Sequence, residues 1–242
     1  MTRRSLFLSF LGLMFGNAAC APLAVSTSVR EGRAGLRYGE DPRQSLEVHR
    51  PPRGRDWPVI VLIRDGDRDA AEARALAQAW AGRGLLVFLA DRRAARGREP
   101  AFISDAAAAI AWAADHAADF GGDASRLGVT GLGAGADAAL MIALDRRYMA
   151  GRDGLIRAAA ALKRPPVAVD DDPTLTRPEA YVRSDAPTIW LGGGQADDAL
   201  AARIRSVGGR VQFGDRGVSL AFSAADFLLD SLAASPSASD HP

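Results

Sequence analysis

The residues best placed to do chemistry lie in the run Arg126-Leu127-Gly128-Val129-Thr130-Gly131-Leu132-Gly133-Ala134-Gly135-Ala136-Asp137. A short apolar strand runs into glycines, and an alanine-rich helix follows at once. Glycine at such a junction permits a turn too tight for side chains. Three readings stay open on this stretch alone. Gly131-Leu132-Gly133-Ala134-Gly135 has the frame of a G-x-S-x-G turn, with Gly133 where a nucleophilic serine would stand. Gly131, Gly133 and Ala136 also satisfy the G-x-G-x-x-G/A pattern that cradles a dinucleotide. The third reading is a tight strand-to-helix turn without chemistry.

Position weighs against the dinucleotide reading. At least two strand–helix units precede the glycines, and the next strand ends in Lys163-Arg164 rather than in the acid that would hold a ribose. No cofactor is therefore expected. The histidines available as a base are His49 on an early strand, His116 in the preceding helix and His241 near the end, each read as surface or structural. Asp170-Asp171-Asp172 supply carboxylates, but consecutive side chains do not converge and EF-hand spacing is absent. They read as a solvated loop, and no metal is expected.

The 242 residues are 48% hydrophobic and 24% charged, as in a globular domain with a substantial core. A net charge of +1 gives no charge-driven reason to bind nucleic acid. Lys163 is the sole lysine, which reads as compositional bias towards arginine. The N-terminus has a different character. Arg3 and Arg4 form a charged head, residues 5–15 an apolar core, and Gly16-Asn17-Ala18-Ala19 a small-residue approach to Cys20, the only cysteine. The apolar core is shorter than the ~20 residues of a permanent span. This is the shape of a lipoprotein signal, with Cys20 as the lipidated first residue; cleavage after Ala21 is the rival. Thr2-Arg3-Arg4 also resembles a twin-arginine signal. The expected address is the cell envelope, on a membrane-anchored form facing the periplasm, with the outer membrane favoured because Ala21 is not an aspartate.

The elements that must position these residues follow in order. Residues 20–36 lack pattern and read as a tether. Residues 45–49 alternate like a half-exposed strand, while 58–63 and 85–89 are continuous apolar runs, as in strands buried on both faces. Helices are expected at 70–81, 101–118, 197–206 and 219–233, and further strands at 155–162, 188–191 and 210–213. A proline-rich loop spans 164–187, and a polar tail covers 235–242. Strands alternating with helices predict an α/β three-layer sandwich, a mainly parallel sheet in a single domain over 37–234. Trp80, Trp112 and Trp190 lie in apolar elements and are expected in the core.

Several landmarks occur together in one order: Tyr38-Gly39-Glu40-Asp41-Pro42; Asp105 with the stretch from Trp112 to Asp123; Ala180-Tyr181-Val182-Arg183; Gly193-Gly194-Gln195-Ala196-Asp197-Asp198; and Gly214-Asp215-Arg216-Gly217-Val218. This set resembles the α/β-hydrolase superfamily, closest to bacterial carboxylesterases and feruloyl-esterase-like hydrolases. The resemblance implies a nucleophile at 133, an acid at Asp197 and a histidine at 218. It also implies an oxyanion loop at Arg64-Asp65-Gly66-Asp67, with the N–H of Ala134 as a second donor. Here the nucleophile position is Gly133 and the histidine position is Val218, so the triad is incomplete. The expectation is an inactive esterase homologue with a binding or scaffolding role; the alternative is a carboxylic-ester hydrolase with an unconventional site. A pocket of Arg64, Asp65, Gly66 and Ala134 is expected to favour a small carboxylate or acyl ligand, with Arg64 paired to Asp65, Asp67 or Asp197 as the opposing reading.

Overall fold

The computed structural model describes residues 30–64, 69–91, 101–165, 177–193, 195–214 and 219–233. The strands are β1 (Arg30–Arg37), β2 (Ser45–Arg50), β3 (Trp57–Arg64), β4 (Leu86–Asp91), β5 (Gly122–Leu132), β6 (Ile156–Leu162), β7 (Thr188–Leu191) and β8 (Val211–Phe213). The helices are α1 (Ala70–Gly82), α2 (Ala101–His116), α3 (Ala134–Leu144), α4 (Gln195–Ser206) and α5 (Leu220–Ala233). All eight strands form one sheet in the order β1-β2-β4-β3-β5-β6-β7-β8. Strand β2 runs antiparallel to both β1 and β4, and the remaining pairs are parallel.

The unpatterned apolar strands are buried because helices cover both faces. Residues from α2, α3 and α4 share one core with Val59, Val61 and Ile63 of β3; α1 and α5 share the other with Ile60 and Leu62. In β6 the four alanines Ala158, Ala159, Ala160 and Ala161 are fully buried, alternating between the two cores. Their small side chains let helices approach the sheet from either side. Trp80 and Trp190 are core residues as expected, and the Trp80 indole donates to Ala221 O at 2.9 Å, tying α1 to α5. Trp112 is only partly buried, stacked on His116 with ring centroids 4.1 Å apart.

Two boundaries differ from the sequence reading. Strand β1 occupies residues assigned to the tether, so the folded domain begins by Arg30 rather than at 37. Strand β5 starts at Gly122, four residues before the run from Arg126 in which the strand was expected; a 3-10 turn, Ala117–Phe120, closes on Gly121 in the left-handed region. The entry to the domain is clipped to α2, where Gln44 Nε2 donates to Asp105 Oδ1 at 2.8 Å.

Candidate active site

Strand order reverses between β3 and β5: β3 pairs with β4 on one side and β5 on the other. In open α/β sheets, ligands bind at the carboxyl ends of strands where the order reverses. Arg64 ends β3, and Gly133 follows β5 at this point. Backbone bonds join the neighbouring strand ends: Gly133 N donates to Leu162 O at 3.0 Å, Gly192 N to Ala161 O at 3.0 Å, and Gly214 N to Leu191 O at 2.8 Å.

The glycine turn joins β5 to α3 as tightly as the resemblance to a nucleophile elbow implies, with glycine at 133. Gly133 lies at φ 60°, ψ −130°, a conformation that costs a side-chain-bearing residue ~1–3 kcal/mol. The flanking glycines serve packing. A Cβ on Gly131 would lie 2.0 Å from Gly135 O, and one on Gly135 would lie 2.2 Å from Ile63 O. Ala134 opens α3, where the first N–H groups of a helix lack intrahelical acceptors. Thr130, the hydroxyl nearest in sequence, is fully buried and donates to Ala160 O at 3.0 Å, so it serves the sheet.

Asp197, the residue that the resemblance implies as the acid, is buried in the first turn of α4. Its Oδ2 accepts the N–H of Gly193 at 2.9 Å, and its Oδ1 stands 3.7 Å from Nη1 of Arg164. Burial pushes its pKa up, opposed by the Gly193 bond and the Arg164 charge. Arg164 is the residue that sequence reasoning missed. It lies two residues beyond the end of β6, its side chain is only 2% exposed, and it binds several groups at once. Nε donates to Asp137 Oδ1 at 2.5 Å, Nη2 to Glu179 Oε1 at 3.1 Å, and Nη1 to Ala196 O at 3.2 Å. Burial is the largest influence on this guanidinium and pulls its pKa down, but Asp137 and Glu179 outweigh it and hold it above its ordinary value. Burial pushes the pKa of Asp137 up; Arg164 opposes this, while Glu179 and Asp197 add to it. The site is thus a guanidinium joining the acid loop, the first turn of α3 and the 3-10 turn Pro178–Tyr181.

Arg64 is buried at the end of β3, in register with Asp91, and its neighbour Ile63 is in register with Gly131. The strand ends therefore bring Arg64 to the same rim as Gly133 and Ala134. The expectations for Asp65, Gly66, Val218, Cys20, His241 and 170–172 lie outside the described residues. His49 is buried on β2, away from the elbow, and His116 Nδ1 lies 2.8 Å from Trp112 O; neither reaches Gly133 in the way a catalytic base must. Among the described residues no group of three or more His, Cys, Asp or Glu side chains is arranged to hold a metal ion.

A mostly parallel sheet in this order, with a tight glycine turn after its central strand, is the α/β-hydrolase fold. The fold is shared with solved esterases, and part of the sequence with a carboxylesterase. A family model, BD-FAE, matches residues 46–153, which contain the elbow but not Asp197. Carboxylesterase NlhH of Mycobacterium tuberculosis is 33% identical over 112 residues, covering 44% of this chain and 35% of that protein. The matched region is thus about a third of that relative's length. Esterase 2 of Thermogutta terrifontis, phosphorylated by paraoxon, superposes with a TM-score of 0.68 at 19% identity, covering 86% of this chain and 97% of that one. A truncated carbohydrate esterase from gut microbiota gives a TM-score of 0.69 at 16% identity, covering 86% and 99%.

Proposed function

We propose that this protein is an esterase homologue that binds or scaffolds through the old active-site cleft instead of hydrolysing esters. The observation that carries this reading is the pairing of Asp197 with the buried Arg164 at an elbow that bears glycine. A serine-hydrolase triad needs a hydroxyl, a base to take its proton and a carboxylate to orient that base. Gly133 has no hydroxyl. The cation beside Asp197 is a guanidinium, which has no lone pair to accept a proton at any physiological pH. The histidine position carries Val218.

The cleft keeps the features that would favour a small carboxylate or acyl group: the N-terminus of α3 at Ala134 and a cationic side chain, Arg64, on the adjoining rim. With Cys20 as a lipidated first residue, the domain would work at the cell envelope, anchored to a membrane. No described helix is long and apolar enough to cross one. The names of its relatives favour a second reading, an ester hydrolase with an unconventional site. One experiment separates the two. Purified protein is treated with a fluorophosphonate probe and assayed against short p-nitrophenyl esters beside Gly133→Ala. The binding reading expects no labelling and identical background turnover; stoichiometric labelling of a serine establishes the enzyme.

A further inference from the structure

At the other end of the sheet from Gly133, a cavity of about 280 Å³ opens beside the last turn of α3 and the starts of β6 and β7. Ile142, Met149 and Ile156 give it an apolar lining, and the rest is dominated by arginine. Arg183 is fixed as part of the wall: Nε donates to Leu144 O at 3.2 Å, and Nη1 donates to Asp185 Oδ1 at 2.7 Å. Arg146 pairs with the same Asp185 and stands 3.9 Å from Asp153. Arg152 is matched by Asp115 at 2.7 Å.

Arg157, at the start of β6, and Arg210, just before β8, line the same cavity. Among the described residues neither has an ion-pair partner. Five guanidiniums here meet three carboxylates, Asp115, Asp153 and Asp185, leaving an excess of two positive charges. The whole chain carries only +1, so this end of the molecule concentrates positive charge that the rest offsets.

We propose that this cavity binds a phosphate monoester, presented either by a soluble metabolite or by a lipid headgroup. A phosphate monoester carries close to two negative charges at neutral pH, which matches the local excess, whereas a monocarboxylate would leave one positive charge uncompensated. Guanidinium forks take phosphate oxygens in paired, charge-assisted hydrogen bonds. The apolar lining accepts the organic part of the ester. The volume limits that part to a small group, because pockets for drug-sized ligands begin near ~300 Å³. The cavity shares no residue with the elbow, so this assignment stands or falls apart from the fate of the old active site.

The test is calorimetric titration at low ionic strength with phenyl phosphate, and with benzoate as the monoanionic counterpart. Wild type is expected to bind phenyl phosphate with a Kd of ~1 mM or tighter, and benzoate roughly tenfold more weakly or worse. Arg157→Ala with Arg210→Ala removes two exposed side chains and should weaken phenyl phosphate roughly tenfold or more. Arg157→Gln alone should give a smaller loss, and Arg55→Ala, an exposed arginine elsewhere, none. Co-sedimentation with phosphatidylcholine vesicles containing phosphatidic acid distinguishes the sources. Vesicle binding that the double variant loses and Arg55→Ala keeps assigns the phosphate to a lipid; phenyl phosphate binding without vesicle binding assigns it to a soluble ester. The proposal is overturned if wild type binds neither, if benzoate binds as well as phenyl phosphate, or if the folded double variant binds like wild type.

Discussion

The guanidinium of Arg164 stands 3.7 Å from the carboxylate of Asp197, and both side chains are almost wholly buried. The same guanidinium holds Asp137 on the elbow helix and Glu179 on the loop before β7. Three carboxylates thus depend on one cation. Removing one partner of a buried ion pair typically costs ~3–5 kcal/mol, because the remaining charges lose their compensation. Arg164→Met is expected to lower the unfolding free energy by about that much, read from urea denaturation. A loss under ~0.5 kcal/mol would show that the pair is solvent-screened after all.

The elbow predicts two different responses to the same mutation. Gly131→Ala and Gly135→Ala each drive a Cβ into a backbone oxygen, at 2.0 and 2.2 Å respectively. Backbone atoms cannot rotate away, so both variants should lose at least ~3 kcal/mol or fail to fold. Gly133→Ala meets the turn's unfavourable φ instead and should lose ~1–3 kcal/mol. Thermal melts of the three variants in parallel check the order; equal losses would refute it.

Restoring the triad residues is not expected to restore the triad. The family resemblance implies that a histidine at 218 faces Asp197; in Gly133→Ser with Val218→His it would share that acid with Arg164, whose charge disfavours an imidazolium. Fluorophosphonate labelling of this double variant should stay far below that of an active esterase. Rapid, stoichiometric labelling would mean that Arg164 does not occupy the acid in the working state.

His49 gives the protein a pH response of definite sign. It is 3% exposed, neither ring nitrogen has a hydrogen-bond partner among the described residues, and burial holds its pKa below the ordinary 6.5. The unfolded chain therefore takes up the proton first. This contribution to stability is complete above about pH 6.5 and is lost as the pH falls towards the folded-state value. Asp137 and Asp197 act in the opposite sense: their raised pKa values give a contribution present below 3.8 and lost as the pH rises. Subtracting the pH profile of His49→Leu from that of wild type isolates the histidine. The difference should grow between pH 7.5 and 5, wild type weakening faster; a flat difference contradicts the assignment.

Lipidation is tested at Cys20. Cys20→Ala should abolish palmitate labelling in cells and leave an unprocessed or soluble form. Wild-type protein recovered soluble, unlabelled and beginning after Ala21 would replace the anchor with simple secretion.

What the sequence revealed and what it hid differ in physical kind. The turn at Gly131, Gly133 and Gly135 was legible because two of its constraints are local: Gly131 answers to the backbone of Gly135 and Gly133 to its own φ, while Gly135 answers to Ile63 on the neighbouring strand. The buried strands were legible because burial on both faces leaves an unbroken apolar run. Strand β1 was not, because it is defined by backbone pairing to β2 and, of its described side chains, only Leu36 packs against the core. Arg164 was hidden for another reason. An arginine after a run of buried alanines signals that partners must exist, but Asp137 lies 27 residues before it and Glu179 15 after. Only the fold brings them together. Val218 and the loop after Arg64 were read through resemblance alone.

Strands β1 and β8 carry a consequence for how the molecule behaves among its own copies. An open sheet ends in two rows of unpaired backbone groups that can recruit further strands. At one end β1 pairs with two register breaks, between Arg30 and Arg33 and between Arg33 and Leu36. At the other, β8 is three residues long. Among the described residues neither border offers the long, flat template on which edge-to-edge polymerisation depends, an arrangement that disfavours fibril-like stacking.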